Sequence, residues 1–288
     1  MINSIKKFYR QTFRGELFII KVSGKVVTDQ ASRENLIQNI HELIKDGIKV
    51  LLIYGGGEAI DKALQENGIT SEKVNGRRIT SEKDIKIIKK VMAGDLGFKI
   101  TETLVKEKLP ANVHNAIPPH WAIAKRRPKN NGNIRFDGVL DNFYPKAIKS
   151  HFSNTNLAVC PSLAFTKDGN ALNINADNVA IELASKAKAA KLILMTNIDG
   201  VMVENEVQSL LSAREIETLI KNGIVTDGMQ VKLENCVNAL RAGVKRVHIL
   251  NGLKKDALRN EIYTSTGFGT MIVRETEKKK YIKEEIQK

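Results

Sequence analysis

From one end of the chain to the other, short apolar runs rich in β-branched residues alternate with segments whose apolar residues recur at helical spacing. Parallel strands need long crossover connections, and helices supply them, so this alternation is the pattern of an α/β protein. Leu17 to Val22 reads as a buried strand. About Ala31 to Asp46 reads as a helix, with Leu36, Ile37, Ile40, Leu43 and Ile44 forming one stripe. Lys49 to Tyr54 is the next strand and runs into Gly55-Gly56-Gly57 and a helix from about Ala59 to Glu66. A long helix spans about Ser81 to Lys106, opened by Thr80-Ser81 with acidic residues in its first turn. Further strands are expected at Val113–Ile117, Leu157–Pro161, Lys191–Thr196, Arg246–Leu250 and Gly269–Val273, with hairpins over 118–145. Helices are expected at Asp177–Lys186, Ser212–Lys221 and Met229–Arg241. The predicted fold is a three-layer αβα sandwich around an open, mainly parallel sheet.

Composition narrows the function classes. The 288 residues are 42% hydrophobic and 27% charged, enough for one large core or two modest ones. No run approaches the ~20 apolar residues of a bilayer span, and the start, MINSIKKFYRQTFRGE, lacks the apolar core of a signal peptide. No membrane is expected, and the location is expected to be cytoplasmic. Cys160 and Cys236 lie far apart without metal-ligand spacing, so both are read as buried thiols and no metal site is expected. The 46 Lys and Arg against 32 Asp and Glu give a net charge of +14, which draws anions of every kind. Part of that excess sits in Lys125-Arg126-Arg127-Pro128-Lys129 and in the tail from Lys278 to Lys288, expected to be solvated surface or a frayed end. No RNA-binding, zinc-finger or helix-turn-helix signature accompanies the charge, so nucleic acid is not expected as a partner.

Three strand ends carry residue types suited to polyphosphate. FIIKVSGK sets Lys21 beside Ser23 and Gly24 at a strand's carboxyl end, where open α/β sheets bind ligands, though a strand-edge lysine before an ordinary turn reads the same. IYGGGEAID leads three glycines into a helix whose N-terminal amides can hold an anion. Glycine clusters also close many strand–helix turns without a ligand, and the spacing matches neither the Walker loop nor the dinucleotide fingerprint. NALNINADNVA puts Asn173, Asn175 and Asp177 at alternate positions before a helix, on one face of an extended segment. Helix capping by Asp177 or Asn175 is the competing reading. TDGMQVK places Lys232 just inside a helix start after Gly228 and Met229, where a cation opposes the helix dipole unless an anion is near.

Taken in order, YRQTFRGELFIIKVSG, VLLIYGGGEAID, VNGRRIT, NALNINADNVA, KLILMTNIDGV, IVTDGMQVK, GVKRVHILNG and EIYTSTGFGTMI resemble the amino acid kinase family, and within it the acetylglutamate kinases. The resemblance covers about Tyr9 to Val273. It implies transfer of the γ-phosphoryl of ATP, with Mg²⁺ carried by the nucleotide, to the side-chain carboxylate of N-acetyl-L-glutamate in arginine biosynthesis. By motif, Lys21 resembles the lysine on the transferring phosphoryl, Lys232 the lysine on the nucleotide's phosphates, and Asp177 the aspartate that orients both. Gly55, Gly56 and Gly57 resemble the turn touching phosphoryl and acceptor. Arg78 resembles the arginine on the acceptor's α-carboxylate, with Asn173 and Asn175 as further acceptor contacts. Gly24, Thr196, Asp199, Gly200, Val201, Gly228 and Met229 resemble the nucleotide site. The implied organisation is an N-terminal helix over 1–15 as an oligomerisation arm, an acceptor lobe over 16–175, an ATP lobe over 176–275 and a charged tail over 276–288.

The pattern departs in four places. Tyr54 stands where the family commonly has the histidine of HGGG, and Gly97 replaces a common asparagine. HNAIPPHWAIAKRR, residues 114–127, replaces a Gly/Ser-rich stretch over the acceptor, as ordinary loop packing or as a pocket remodelled around Trp121. NGLKKDALRNE has Leu253 and Asp256 in place of an arginine and a histidine. The first fifteen residues resemble the extra helix of the hexameric, arginine-inhibited enzymes, which implies a homo-oligomer, dimer or hexamer. Ile5, Phe8 and Phe13 can equally cover the chain's own core. Arginine would be an effector at Glu261, Gly267 and Gly269. Two alternatives stay open: a sibling kinase for N-succinylglutamate or an N-acyl-aminoadipate, and a non-catalytic ligand sensor on the same fold.

Overall fold

A computed structural model describes residues 10–74, 77–128, 134–264 and 267–286. Its main sheet has the strands β1 (Leu17–Val22), β2 (Lys49–Tyr54), β3 (Asn112–Val113), β4 (Leu157–Pro161), β5 (Lys191–Thr196), β6 (Leu210–Ser212), β7 (Arg246–Asn251) and β8 (Thr270–Val273). They lie in the order β6-β8-β7-β5-β1-β2-β4-β3. The run from β7 to β3 is parallel, β8 is antiparallel to β7, and β6 is parallel to β8. Helices cross between them: α1 (Gly24–Thr28), α2 (Gln30–Lys45), α3 (Gly57–Glu66), α4 (Glu82–Lys89), α5 (Gly97–Lys106), α6 (Pro145–Asn154), α7 (Ala176–Ala187), α8 (Ala213–Lys221), α9 (Asp227–Arg241), α10 (Ala257–Tyr263) and α11 (Glu275–Ile286).

The period of two along each strand divides the interior into two cores. Phe18, Ile20, Val22, Val50, Leu52 and Tyr54 face the core built with α2, α3, α4, α5 and α10. Ile19, Leu51, Ile53, Leu192 and Leu194 face the opposite core, built with α6, α7, α8 and α9. These are the three layers expected from the sequence. By the same parity Lys21 projects on the Ile19 face, toward α7. Burying β1 and β2 on both faces leaves only their carboxyl ends free to carry polar chemistry.

Several expectations need correction. The strand expected over 113–117 is only Asn112–Val113, because Pro118-Pro119 removes two N–H donors and bends the exit. The long helix begins at Glu82, with Ser81 and Asp84 forming a reciprocal cap, and it is interrupted at residues 90–96 by a widened turn with i→i+5 bonding. The stretch over 118–145 does contain a hairpin, Ala122–Arg126 against Gly138–Phe143, but α6 follows it and was not expected. The charged tail is not frayed through residue 286. It forms α11, tied down by Arg246 to Glu277 at 2.6 Å and by Lys278 to Glu215 at 2.6 Å. Most of the N-terminal arm, including Ile5 and Phe8, lies outside the described residues. Its described end packs Phe13 edge-on against Phe18, with centroids 5.3 Å apart, so this end covers the chain's own core.

Candidate active site

The carboxyl ends of β1 and β2 open onto a cleft of about 470 Å³ lined by Lys21, Gly24, Gly55, Gly56, Gly57, Arg78, Asn173, Asn175 and Asp177. Residues spread over 157 positions of sequence therefore meet at one place. The parallel register sets β1 beside β2 with Val22 opposite Tyr54, so the two turns that follow lie side by side. They touch backbone to backbone: a Cβ at Gly24 would stand 3.0 Å from Gly55 O and from Gly56 Cα. Gly57, the first residue of α3, lines the cleft and has open space where its side chain would be, so that helix start borders the cleft with no side chain of its own in the way.

Lys21 and Asp177 form the centre. Lys21 Nζ lies 2.8 Å from Asp177 Oδ1, with the two side chains 13% and 20% exposed. Burial alone would raise the Asp177 carboxyl, but the ammonium of Lys21, its hydrogen bond and the more distant Lys232 hold it below the ordinary carboxylate value. Lys232 comes from α9 and donates to Thr196 Oγ1 at 3.4 Å. Burial pushes its ammonium down and repulsion from Lys21 adds to this, while Asp177 opposes both. One carboxylate thus sits in the field of two ammonium groups from opposite sides of the β1–β5 seam. Because α9 begins at Asp227, Lys232 lies in its second turn and not its first, so opposition to the helix dipole does not explain it.

The acceptor-side residues are held by their neighbours. Arg78 pairs with Asp61 at 2.6 Å and with Ser71 Oγ, and its guanidinium is nearly buried. Asn173 donates to Thr80 Oγ1 at 3.2 Å. Asn175 caps α7 by accepting the Asn178 N–H at 3.1 Å, so capping belongs to Asn175 and leaves Asp177 to Lys21. Of the expected nucleotide residues, Gly24 lines the cleft. The others lie outside it. Asp199 pairs with Lys254 at 2.8 Å and accepts from Asn251 at 2.8 Å. Gly200 has φ +154°, and a Cβ there would stand 2.6 Å from Thr270 Oγ1. Val201 N–H donates to that same hydroxyl at 2.8 Å. Gly228 and Met229 start α9.

Sequence reasoning missed Lys25, Lys73, Arg77, Arg127, Asp137, Ser162 and Asn197, which also line the cleft. Arg127 stands in the basic run read as solvated surface. Burial and the neighbouring Arg77 hold its guanidinium below the ordinary value, and its Nε is 3.8 Å from Asp137, which already holds Arg135 at 2.8 and 2.5 Å. The available signal was Arg77-Arg78 on a short strand with Arg127 just past the end of another. Trp121 does not line the cleft. It is fully buried against His114, His151 and Phe152, so packing accounts for it.

The expected effector residues lie at the far end of the sheet. Glu261 is buried, with His248 Nδ1 2.6 Å from Oε1 and the Phe268 N–H donating to Oε2 at 2.6 Å. Lys191 Nζ lies 3.1 Å from His248 Nε2. Gly267 has φ +67°, and a Cβ at Gly269 would stand 2.2 Å from Ile249 O, so close packing alone requires glycine there. Cys160 and Cys236 are free and buried, and burial pushes both thiols up. Among the described residues no helix is long and apolar enough to cross a membrane, and no group of three or more His, Cys, Asp or Glu is placed to hold a metal ion.

The chain matches the profile of the "Amino acid kinase family" over residues 16–251. It is 33% identical to the acetylglutamate kinase of Kosmotoga olearia over 92% of this chain and 93% of that one. It is 32% identical to the acetylglutamate kinase of Campylobacter hominis over the same shares. Among solved structures it resembles the N-acetylglutamate synthase of Neisseria gonorrhoeae, complexed with coenzyme A and N-acetyl-glutamate, with TM-score 0.86 and 24% identity over 95% of this chain. The same protein complexed with coenzyme A and L-arginine gives TM-score 0.84 and 23% identity over 94% of the chain. The chain spans 63% of the first of those longer proteins and 64% of the second, and the likeness is one of fold.

Proposed function

The chain belongs to the amino acid kinase family, and from that premise we propose that it is an acetylglutamate kinase, moving the γ-phosphoryl of ATP to the side-chain carboxylate of N-acetyl-L-glutamate. The observation that carries the reading is the Lys21–Asp177 pair with Lys232 in the same field. A carboxylate is already ionised at pH 7, so an oxygen lone pair attacks the γ-phosphorus without a general base while the bond to the β–γ bridging oxygen breaks and ADP departs. The obstacle is repulsion between two anions. Lys21 faces the transferring phosphoryl, Lys232 the phosphates of the nucleotide, and the amides at the start of α3 take the equatorial oxygens. Asp177 bonds to no substrate in this scheme; it fixes the ammonium of Lys21 and opposes the effect of burial on the charge of Lys232. Mg²⁺ arrives with ATP as part of the substrate.

Arg78, already oriented by Asp61, pairs the acceptor's α-carboxylate, with Asn173 and Asn175 beside it. Residues 16–175 then serve the acceptor and 176–275 the nucleotide, with Thr196, Asp199, Gly200, Val201, Gly228 and Met229 around the base and ribose. A homo-oligomer, a cytoplasmic location and a role in arginine biosynthesis complete the reading, as the family resemblance of the sequence implies. Arginine as an effector would have to displace His248 or Phe268 from Glu261, a buried carboxylate.

The test is trapping of acyl phosphate by hydroxylamine with MgATP and N-acetyl-L-glutamate. The wild-type chain gives hydroxamate, and Lys21→Ala and Lys232→Ala give roughly a hundredfold less while remaining folded. A wild-type chain that forms none, or a Lys21→Ala chain at the full rate, overturns the proposal.

A further inference from the structure

Tyr54 ends β2 and opens the turn through Gly55, Gly56 and Gly57. Its side chain is fully buried, and its hydroxyl donates to Met92 O at 2.8 Å. Met92 lies in the widened turn between α4 and α5, and its carbonyl also accepts the Gly97 N–H five residues on. Two donors therefore converge on one oxygen, the second from a different element. A Cβ at Gly97 would stand 3.2 Å from Tyr54 Oη, so the hydroxyl occupies the space a side chain at 97 would need. The Met92 side chain closes the loop. A Cβ at Gly56 would come within 2.3 Å of Met92 Sδ, and Gly56 Cα in turn abuts Gly24.

A continuous column thus runs from the long helix through Met92 to the two glycine turns that face the phosphates. A five-residue turn is uncommon and reverts to the four-residue form unless something stabilises its extra carbonyl reach. Reversion turns the side chains before the widened turn by about 100° relative to those of α5, so with α5 held in its packing it would carry Met92 off Gly56. The two departures from the family pattern on this side of the cleft are therefore one feature: the phenol needs the missing side chain at 97.

We infer that Tyr54, through its bond to Met92 O, is a positioning residue that holds the Gly55–Gly57 turn against Met92, with Gly97 as its obligatory partner. This rests on the kinase reading for its activity readout. The buried phenol is pushed up by desolvation, so it remains a donor at every pH at which the chain works.

The full chain is compared with Tyr54→Phe, Gly97→Ala and the double variant, in the hydroxamate assay and by amide hydrogen exchange. Tyr54→Phe lowers kcat about tenfold, leaves both KM values within about threefold, and speeds exchange at residues 55–57; displacement of a phosphoryl contact acts on the transition state more than on binding. Gly97→Ala lowers kcat about fivefold in the wild-type chain and less than about twofold once Tyr54→Phe is present, because no hydroxyl is left to push. A Tyr54→Phe chain with kcat within twofold of wild type overturns the inference, as does an equal Gly97→Ala penalty in both backgrounds. If Tyr54→Phe does not fold, Gly97→Ala alone decides, and an unchanged kcat overturns it. If the wild type forms no acyl phosphate, the kinase reading fails, and the exchange at 55–57 in Tyr54→Phe decides this inference alone: faster supports it, unchanged overturns it.

Discussion

Replacing Asp177 by Asn removes one charge and almost no volume, which makes it the sharpest probe of the site. Lys21 Nζ is 2.8 Å from Asp177 Oδ1. At an effective dielectric of ~20, two unit charges at that separation attract by about 6 kcal/mol. Taking both out of water offsets much of this, and the loss on removing one partner of such a pair is about 3 kcal/mol. If that energy holds Lys21 in register with the transferring phosphoryl, kcat in Asp177→Asn falls by roughly 150-fold. A second consequence has a definite sign. Asp177 raises the Lys232 ammonium against its burial, so losing the carboxylate lets Lys232 release its proton at lower pH. The alkaline limb of kcat therefore moves to lower pH in the variant. The assay is hydroxamate formation at saturating MgATP and N-acetyl-L-glutamate across pH 6 to 10, with circular dichroism to confirm folding. A folded Asp177→Asn chain within about fivefold of wild type, with its alkaline limb unmoved, refutes the argument that this carboxylate disciplines the two lysines.

Further outcomes follow from the same geometry. Arg127→Ala raises KM for the acceptor about tenfold and leaves KM for MgATP within twofold, because its guanidinium lines the cleft beside Arg77 and is only loosely paired, at 3.8 Å, with Asp137. Equal acceptor KM values would remove Arg127 from the site. Trp121→Ala costs about 3–5 kcal/mol in denaturant unfolding without changing acceptor KM, since the indole is buried outside the cleft. A change in acceptor selectivity at full stability would contradict that. Burial holds the Lys191 ammonium down to about 7, so between there and the unfolded value of about 10.4 the unfolded chain carries the extra proton, and stability gained from this residue rises with pH. Lys191→Met is accordingly most stabilised relative to wild type below pH 7, and the gap in Tm closes toward pH 10. A pH-independent gap would show that Lys191 is not desolvated as its surroundings imply.

Local pattern alone marked the central strands of the main sheet, because continuous apolar runs such as FIIKV and KVLLIY suit strands buried on both faces, but it missed the edge strand Leu210–Ser212, which is three residues long and has too short a run to show a period. It also marked Lys21, the glycine turn and Asp177, since each stands near the boundary between an apolar run and a helix start, and it marked Lys232 as a lysine close after the Asp227-Gly228 turn. What it could not decide is anything that depends on which boundaries meet. The capping role fell to Asn175 and not to Asp177 only because β1 brings Lys21 under the first turn of α7. Arg127 reads as surface in a basic run, and only the pairing of Ala122–Arg126 with Gly138–Phe143 turns it into the cleft. Trp121 shows the converse, a conspicuous residue that the packing of α6 sends into the core. Tyr54 and Gly97 are separate oddities 43 positions apart in sequence, and become one device when a widened turn puts a carbonyl between them. Periodicity is a property of neighbours along the chain and is written in the sequence. Convergence of charges is a property of distance through space, which the sheet order sets.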